Sequence, residues 1–247
     1  MIGYFAGALA AGAATFAGLH TMVPWSQLYG RNFTGLDPGS KTLALTYDDG
    51  PNDPWTLALL EVLEKQHVAA TFFMLGRYVR EHPEIAHAVT QAGHAVGNHA
   101  FTHPNLIFAG TARLRQELEE TTKTIEEATG ERPSLFRPPF GGRRPGTFAV
   151  ARELKMVPVM WRVTCYDWSA KSHQQILQHA RRQIRGGEVI LLHDGGHLRM
   201  GEDRSATVRA TDELIAEYKE RGFSFVTVPE MMRMAHQAES PLGAAAP

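Results

Sequence analysis

The sequence TLALTYDDGP, residues 42–51, joins an apolar run to a pair of acidic residues. The run Thr42–Tyr47 has the composition of a buried β-strand, and Gly50-Pro51 ends it. The adjacent carboxylates of Asp48 and Asp49 repel each other unless a cation or an arginine neutralises one of them. The stretch therefore predicts a strand that ends in a polar site, although an ordinary solvated turn uses the same residue types.

Strand-like and helix-like runs alternate after this stretch. Seven strands with crossover helices in a chain of 247 residues predict an α/β fold with a parallel sheet, closed or nearly closed into a single-domain (β/α)7 barrel. A doubly wound open sheet is the alternative. The predicted strands are Thr42–Tyr47, Ala70–Met74, Ala95–Asn98, Leu135–Arg137, Val157–Val163, Val189–Leu192 and Phe223–Val228. The predicted helices are Pro54–Gln66, Pro83–Ala92, Thr111–Thr129, Pro145–Lys155, Ser172–Ile184 and Ala206–Arg221.

Composition narrows the class of partner. The net charge of -1 gives no basic face that would neutralise phosphates, so no nucleic acid partner is expected and a weakly charged substrate fits better. The single cysteine, Cys165, excludes an intramolecular disulfide.

The two ends of the chain differ from its centre. Residues 1–23 contain no Lys, Arg, Asp or Glu, which is compatible with a membrane anchor, an export signal or a helix packed on the domain. We favour a membrane-anchored or extracytoplasmic protein over a cytoplasmic one. Residues 24–40 are predicted to be a linker, residues 41–236 the catalytic domain, and residues 237–247 a disordered tail.

Reactive side chains follow the ends of five predicted strands, which in a βα barrel meet on one rim. They are Asp48 and Asp49, His99, Arg137, Asp167 with Trp168, and His193 with Asp194. His99 and His103 are four residues apart, a spacing that brings two imidazoles together. With one carboxylate from another strand they predict a catalytic metal site, with zinc as the default and cobalt, nickel, iron or manganese also suited to this donor set.

Taken alone, the other candidates also have ordinary structural interpretations. His193 could be a core histidine, and Arg137 could belong to a surface turn. In the functional interpretation, Asp167 orients His193 and raises its pKa, while Arg137 pairs with Asp48.

These motifs, in this order, resemble the five motifs of the polysaccharide deacetylase family, also called the NodB-homology domain or carbohydrate esterase family 4. The resemblance extends from about Lys41 to Met232. It implies a distorted barrel of the NodB type and a hydrolase that acts on the carbon-nitrogen bond of a linear amide. The matching segments are TYDDGP at 46–51, HAFTH at 99–103, RPPFG at 137–141, DW at 167–168 and LLHD at 191–194.

The resemblance also implies a role for each motif residue. Asp49, His99 and His103 would bind the metal, Asp48 would be the general base, and His193 the general acid. Arg137 would support the base, Asp167 would tune the acid, and the amide of Phe140 after Pro139 would form the oxyanion hole. Trp168 and Leu191 would surround the acetyl methyl group.

Three residues depart from the family pattern without removing a ligand or a proton carrier. Ala100 stands where Ser or Thr is usual, Thr164 where Asp often begins the fourth motif, and Tyr47 where Phe is usual. We therefore expect activity, and we expect these departures to affect loop rigidity and substrate preference.

The expected reaction is removal of N-acetyl groups from an N-acetylglucosamine-containing polysaccharide, peptidoglycan or a chitin-like oligomer, with release of acetate. The alternatives are an O-acetyl esterase acting on a xylan-like glycan, a non-catalytic glycan-binding domain, and a hydrolase of small cyclic amides. Relatives of the last kind tend to lack the complete metal triad that Asp49, His99 and His103 would form here.

Overall fold

The computed structural model describes Gly18 and residues 20–239. Most of the candidate anchor and residues 240–247 of the predicted tail lie outside this range. Among the described residues, no helix combines the length and the apolar character that crossing a membrane requires.

The strands form one curled, parallel sheet, which confirms the predicted α/β fold. Seven strands lie in the order β5, β4, β3, β2, β1, β7, β6, and β8 pairs with the start of β1. The strands are β1 Thr42–Gly50, β2 Thr71–Met74, β3 Ala95–Asn98, β4 Leu135–Phe136, β5 Val157–Pro158, β6 Val163–Thr164, β7 Val189–His193 and β8 Ser224–Phe225.

Helices follow most strands, and several of them pack against the outer face of the half-barrel. All six predicted helices are present with ends within two residues of the prediction, whereas α2 and α8 were not predicted. The helices are α1 Trp55–Lys65, α2 Gly76–Glu81, α3 Pro83–Gln91, α4 Thr111–Thr129, α5 Thr147–Glu153, α6 His173–Gln183, α7 Ser205–Glu220 and α8 Val228–Glu239.

Three strand predictions were wrong in extent. The first strand continues three residues past its predicted end at Tyr47, to Gly50, because Asp48 and Gly50 still pair with β2. The run Val157–Val163 is two short strands, because β5 pairs with β4 at one edge of the sheet and β6 pairs with β7 at the other. The run Phe223–Val228 ends its strand at Phe225 because a helix starts at Val228.

A capping box starts α8. The backbone amide of Thr227 donates to Glu230, and the amide of Glu230 donates to the Thr227 hydroxyl at 3.3 Å. The same helix includes Gln237–Glu239, so the predicted disordered tail is helical over those three residues.

Side chains alternate between two apolar cores along the strands. In β7, Ile190 and Leu192 pack in the core between the sheet and the helices, while Val189 and Leu191 pack inside the curl of the sheet. Because alternate strand residues share a face, His193 continues the inner set. The same rule assigns Asp48 of β1 to the inner face, on the side of Ala44.

A bulge at the end of β1 aims two consecutive carboxylates at one place. Consecutive strand residues normally point to opposite faces of a sheet. The pairing of β1 with β2 shifts register between Asp48 and Gly50, and Asp49 lies between them in the left-handed region with a φ of 73°. Gly50 lets the Asp194 carboxylate pack against the end of β1, because a Cβ at position 50 would lie 2.1 Å from Asp194 Oδ2.

Part of the predicted linker fills the gap between the two edges of the half-barrel. The amide of Phe33 donates to the Pro158 carbonyl at 2.9 Å, and the amide of Met160 donates back to the Phe33 carbonyl at 2.8 Å. On the other side, the Val189 amide donates to the Thr34 carbonyl at 3.1 Å. Residues 33–36 therefore hydrogen-bond to both β5 and the start of β7.

Candidate metal and catalytic site

The predicted metal ligands come together at the carboxyl ends of β1 and β3. Asp49, His99 and His103 are buried, and one potential ligand atom from each lies within 4.8 Å of the others. Asp49 Oδ1 is 3.2 Å from His103 Nε2 and 3.5 Å from His99 Nε2. This buried oxygen has no hydrogen-bond partner among the described residues, and two imidazole nitrogens with one carboxylate oxygen are a donor set that suits a divalent cation.

The loop that carries both histidines is braced from two sides. Asn98 accepts a hydrogen bond from the amide of Ala100 at 2.9 Å and donates to the backbone of α4. The buried carboxylate of Glu117, on α4, accepts the amides of Phe101 and Thr102 at 2.8 Å each and also the Thr102 hydroxyl. The bracing lets the loop keep Ala100 in the left-handed region, with a φ of 66°, although alanine is disfavoured there.

The orientation of His99 is fixed by its second ring nitrogen. Its Nδ1 donates to the Arg137 carbonyl at 2.8 Å, so Nε2 is turned toward Asp49. This arrangement is the usual one for a metal-binding histidine, in which the outer nitrogen is held by a carbonyl or carboxylate.

Asp48 and Arg137 form a buried ion pair beside the metal ligands. Arg137 Nη1 donates to Asp48 Oδ1 at 2.7 Å and to the Thr46 hydroxyl at 2.8 Å. The guanidinium lies 4.1 Å from the ring centroid of Phe73, and burial lowers its pKa although Asp48 opposes the shift. Both charges are therefore compensated inside the protein.

His193 and Asp167 form the corresponding pair at the end of β7. His193 Nδ1 donates to Asp167 Oδ1 at 2.9 Å, and Asp167 Oδ2 accepts both the His193 amide and the Thr207 hydroxyl. Burial would lower the pKa of His193, but the Asp167 carboxylate outweighs it and raises the pKa to about 9. His193 is therefore held protonated at neutral pH, with Nε2 left for the cavity.

Burial and the neighbouring histidines act in opposite directions on Asp49. Burial would raise its pKa, but the imidazoles of His197, His103 and His99 hold the pKa well below its usual range. Burial lowers the pKa of His103 to about 3. A neutral imidazole and an ionised carboxylate are the forms that bind metals.

A cavity of about 360 Å³ opens onto this group. Arg137, Asp167 and Pro139 do not line the cavity. Arg137 and Asp167 therefore act on it only through Asp48 and His193, and Pro139 is buried in the turn before Phe140. The predicted residues that line the cavity are Asp48, Asp49, His99, His103, Phe140, Trp168, Leu191 and His193.

The cavity also contains residues that the sequence did not single out. His197 stacks on His103 with ring centroids 4.4 Å apart, and its Nδ1 is 3.8 Å from Asp49 Oδ2. Its only signal in the sequence was its position just after Gly195-Gly196, a turn that leaves the end of β7. Met22, Trp161 and Arg204 also line the cavity and were not predicted to do so.

A model of the polysaccharide deacetylase family matches residues 35–159. The chain belongs to the polysaccharide deacetylase family. A peptidoglycan-N-acetylglucosamine deacetylase of Bacillus cereus is 34% identical to it over 198 residues, which are 79% of this chain and 90% of the relative.

Other members of the polysaccharide deacetylase family differ in their substrates and in whether they are catalytically active. A chitooligosaccharide deacetylase of a Bradyrhizobium species is 34% identical over 81% of this chain and 94% of its own length. The crystal structure of a carbohydrate esterase family 4 pseudoenzyme from Bacillus anthracis superposes with a TM-score of 0.74 at 32% identity, covering 81% of this chain and 68% of the other. Membership therefore establishes the fold, and the residues of the site must support the activity.

Proposed function

We propose that this chain hydrolyses the N-acetyl groups of an N-acetylglucosamine-containing polysaccharide and releases acetate. The observation that carries the proposal is that three groups converge on one cavity: the Asp49–His99–His103 cluster, Asp48 with Arg137 behind it, and His193 with Asp167 behind it. The named activities of the Bacillus cereus and Bradyrhizobium relatives support peptidoglycan or a chitin-like oligomer as the polymer.

A divalent ion would be held by Asp49, His99 and His103, with zinc as the first candidate and cobalt, nickel, iron or manganese as alternatives. When bound, such an ion polarises an amide carbonyl and lowers the pKa of water. The site suits such an ion because Asp49 Oδ1 has no hydrogen-bond partner and His99 Nε2 is turned toward it.

Asp48 is suited to accept the proton of the attacking water. Its Oδ1 accepts a hydrogen bond from Arg137, so Oδ2 is the oxygen that is left for the water. Oδ2 lies 3.7 Å from His99 Nε2, beside the atoms that would hold the metal. Arg137 is a positioning residue in this scheme, since it lies behind Asp48 and does not line the cavity.

His193 is suited to donate a proton to the leaving nitrogen. An amine leaves an amide only when its nitrogen is protonated, so the reaction needs an acid that stays charged at neutral pH. The Asp167 hydrogen bond on Nδ1 holds His193 in that form and directs Nε2 toward the substrate. The amide of Phe140, whose residue lines the cavity, would donate to the oxyanion.

The test is acetate release by the full chain, loaded with zinc, from chitotetraose, peptidoglycan and acetylated xylan. We expect release from an N-acetylated substrate, with loss of activity in Asp48→Asn and in His99→Ala. Release from acetylated xylan alone would favour the O-acetyl esterase and overturn the proposal.

The pseudoenzyme from Bacillus anthracis makes a non-catalytic domain the rival of another class. This rival predicts that no substrate is turned over although metal is bound. The presence of all three ligands and of both proton carriers in one cavity argues against it.

A further inference from the structure

Three half-exposed apolar side chains surround the mouth of the cavity. Phe140, Trp168 and Met22 are 48%, 46% and 49% exposed, whereas Trp161 and Leu191 are buried at its floor. Phe140 follows β4 and Trp168 follows β6, as expected for a rim built from strand ends. Met22 is different, since among the described lining residues it alone precedes β1.

A buried arginine holds the segment that carries Met22. Arg143 is fully buried, and its Nη2 donates to the carbonyls of Val23 and Ser26. Its backbone amide donates to the Thr21 carbonyl at 3.3 Å. A guanidinium left unpaired in the interior is costly, so these carbonyls tie residues 21–26 to Arg143.

The same arginine also contacts the turn that contains Phe140. Arg143 Nη1 donates to the Gly141 carbonyl at 3.1 Å. Gly141 itself packs tightly, because a Cβ there would lie 2.7 Å from the Trp161 ring. Met22 and Phe140 are therefore held at the rim by one guanidinium, and their relative position is fixed by the fold.

We infer that Met22 is a substrate-binding residue that contacts the sugar ring, an inference that rests on the proposed function. The acetamide must reach Asp49 and the two histidines, which are buried, so the acetyl group occupies the floor of the cavity. The attached ring is then at the rim, where its C–H face can cover the exposed apolar surface of Met22. Removing that surface from water favours glycan binding and leaves the reacting atoms unaffected.

The experiment compares Met22→Ala with Leu28→Ala in the full zinc-loaded chain. Leu28 is a matched control, because it lies in the same N-terminal stretch, is 51% exposed and does not line the cavity. For chitotetraose we expect Met22→Ala to raise KM about fivefold, as loss of part of an apolar contact predicts, with kcat changed less than about twofold. Leu28→Ala should change neither constant.

A binding measurement separates recognition from turnover. In an Asp48→Asn background, which blocks the reaction, calorimetry with chitotetraose should show the same weakening of about fivefold for Met22→Ala. The role of Met22 would be overturned if Met22→Ala and Leu28→Ala had the same KM and the same Kd, or if Met22→Ala lowered kcat alone. Either result would leave the proposed function standing. If the unmodified chain neither binds nor deacetylates chitotetraose, both the proposed function for this polymer and the Met22 inference fail.

Discussion

At the scale of single residues, turnover should be most sensitive to loss of the charge on Asp48, the candidate base. Asp48→Asn keeps the shape of the side chain and an acceptor for Arg137 but removes the negative charge. We expect kcat to fall by about a hundredfold to ten-thousandfold, the range for loss of a general base, while the metal content is unchanged. Acetate release and metal analysis of the same sample test this, and a variant with more than half of the original kcat would contradict the role.

Asp167→Asn tests the acid through the pH profile. Because Asp167 raises the pKa of His193 to about 9, the protonated acid should persist, and turnover should fall only above about pH 9. Without the carboxylate the pKa should fall, because burial lowers it and only Asp49 and Asp48 still raise it. The basic limb of kcat should therefore move to lower pH in the variant.

The matched comparison for this profile is Asp203→Asn, at an exposed residue bonded to Ser205. Its basic limb should coincide with that of the unmodified chain. A basic limb that does not move in Asp167→Asn would exclude His193 as the acid.

At the scale of elements, α4 supports the loop of the metal ligands through Glu117. Glu117→Gln removes the charge that accepts two loop amides, so the loop from His99 to His103 should loosen. We expect metal affinity to fall about tenfold, as for other changes to groups behind metal ligands. Glu120→Gln on the same helix, at a more exposed pair with Arg80, is the control, and chelator competition measures both. Equal affinities would show that the loop does not depend on this carboxylate.

The elements also show what sequence patterns can predict. The positions of the reactive side chains were predictable because an apolar run that stops at Asp-Asp-Gly-Pro or at His193 marks the change from apolar to reactive residues, although β1 itself continues to Gly50 and stays buried there. The division between β5 and β6 was not predictable. An apolar run has the same sequence pattern whether it stays at one edge of the sheet or crosses to the other. The start of α8 at Val228 depends on a capping box whose residues follow the strand-like run directly. The sequence pattern therefore shows no boundary between strand and helix there.

The site could be predicted only where motifs carried it. His99 and His103 were predicted from their spacing, Asp49 was assigned as the third ligand by the family resemblance, and the structure brings the three together. His197 and Met22 reach the cavity through a turn and through the buried Arg143. Neither residue has a local pattern that distinguishes it from other histidines and methionines, because the contacts that position them are distant in sequence.

At the scale of the whole molecule, the segment before β1 contributes to stability. A fragment that begins at Lys41 would lose the hydrogen bonds of Phe33, Thr34 and Leu36 across the gap between β5 and β7. At about 1 kcal/mol for each bond, we expect its Tm to be roughly 10 °C below that of a fragment beginning at His20. Thermal denaturation of the two fragments measures the difference, and equal Tm values would show that residues 20–40 are dispensable.

The burial of Cys165 has a practical consequence. The chain has one thiol, which lies in the core between sheet and helices, and burial raises its pKa well above the usual value. A thiol in that state is a poor nucleophile, so it should resist maleimide reagents in the folded protein. A cysteine introduced at the exposed Leu198, next to His197, would then be the single labelling point. A fluorophore at that position would report glycan arrival at the cavity in real time, with the native cysteine left in place.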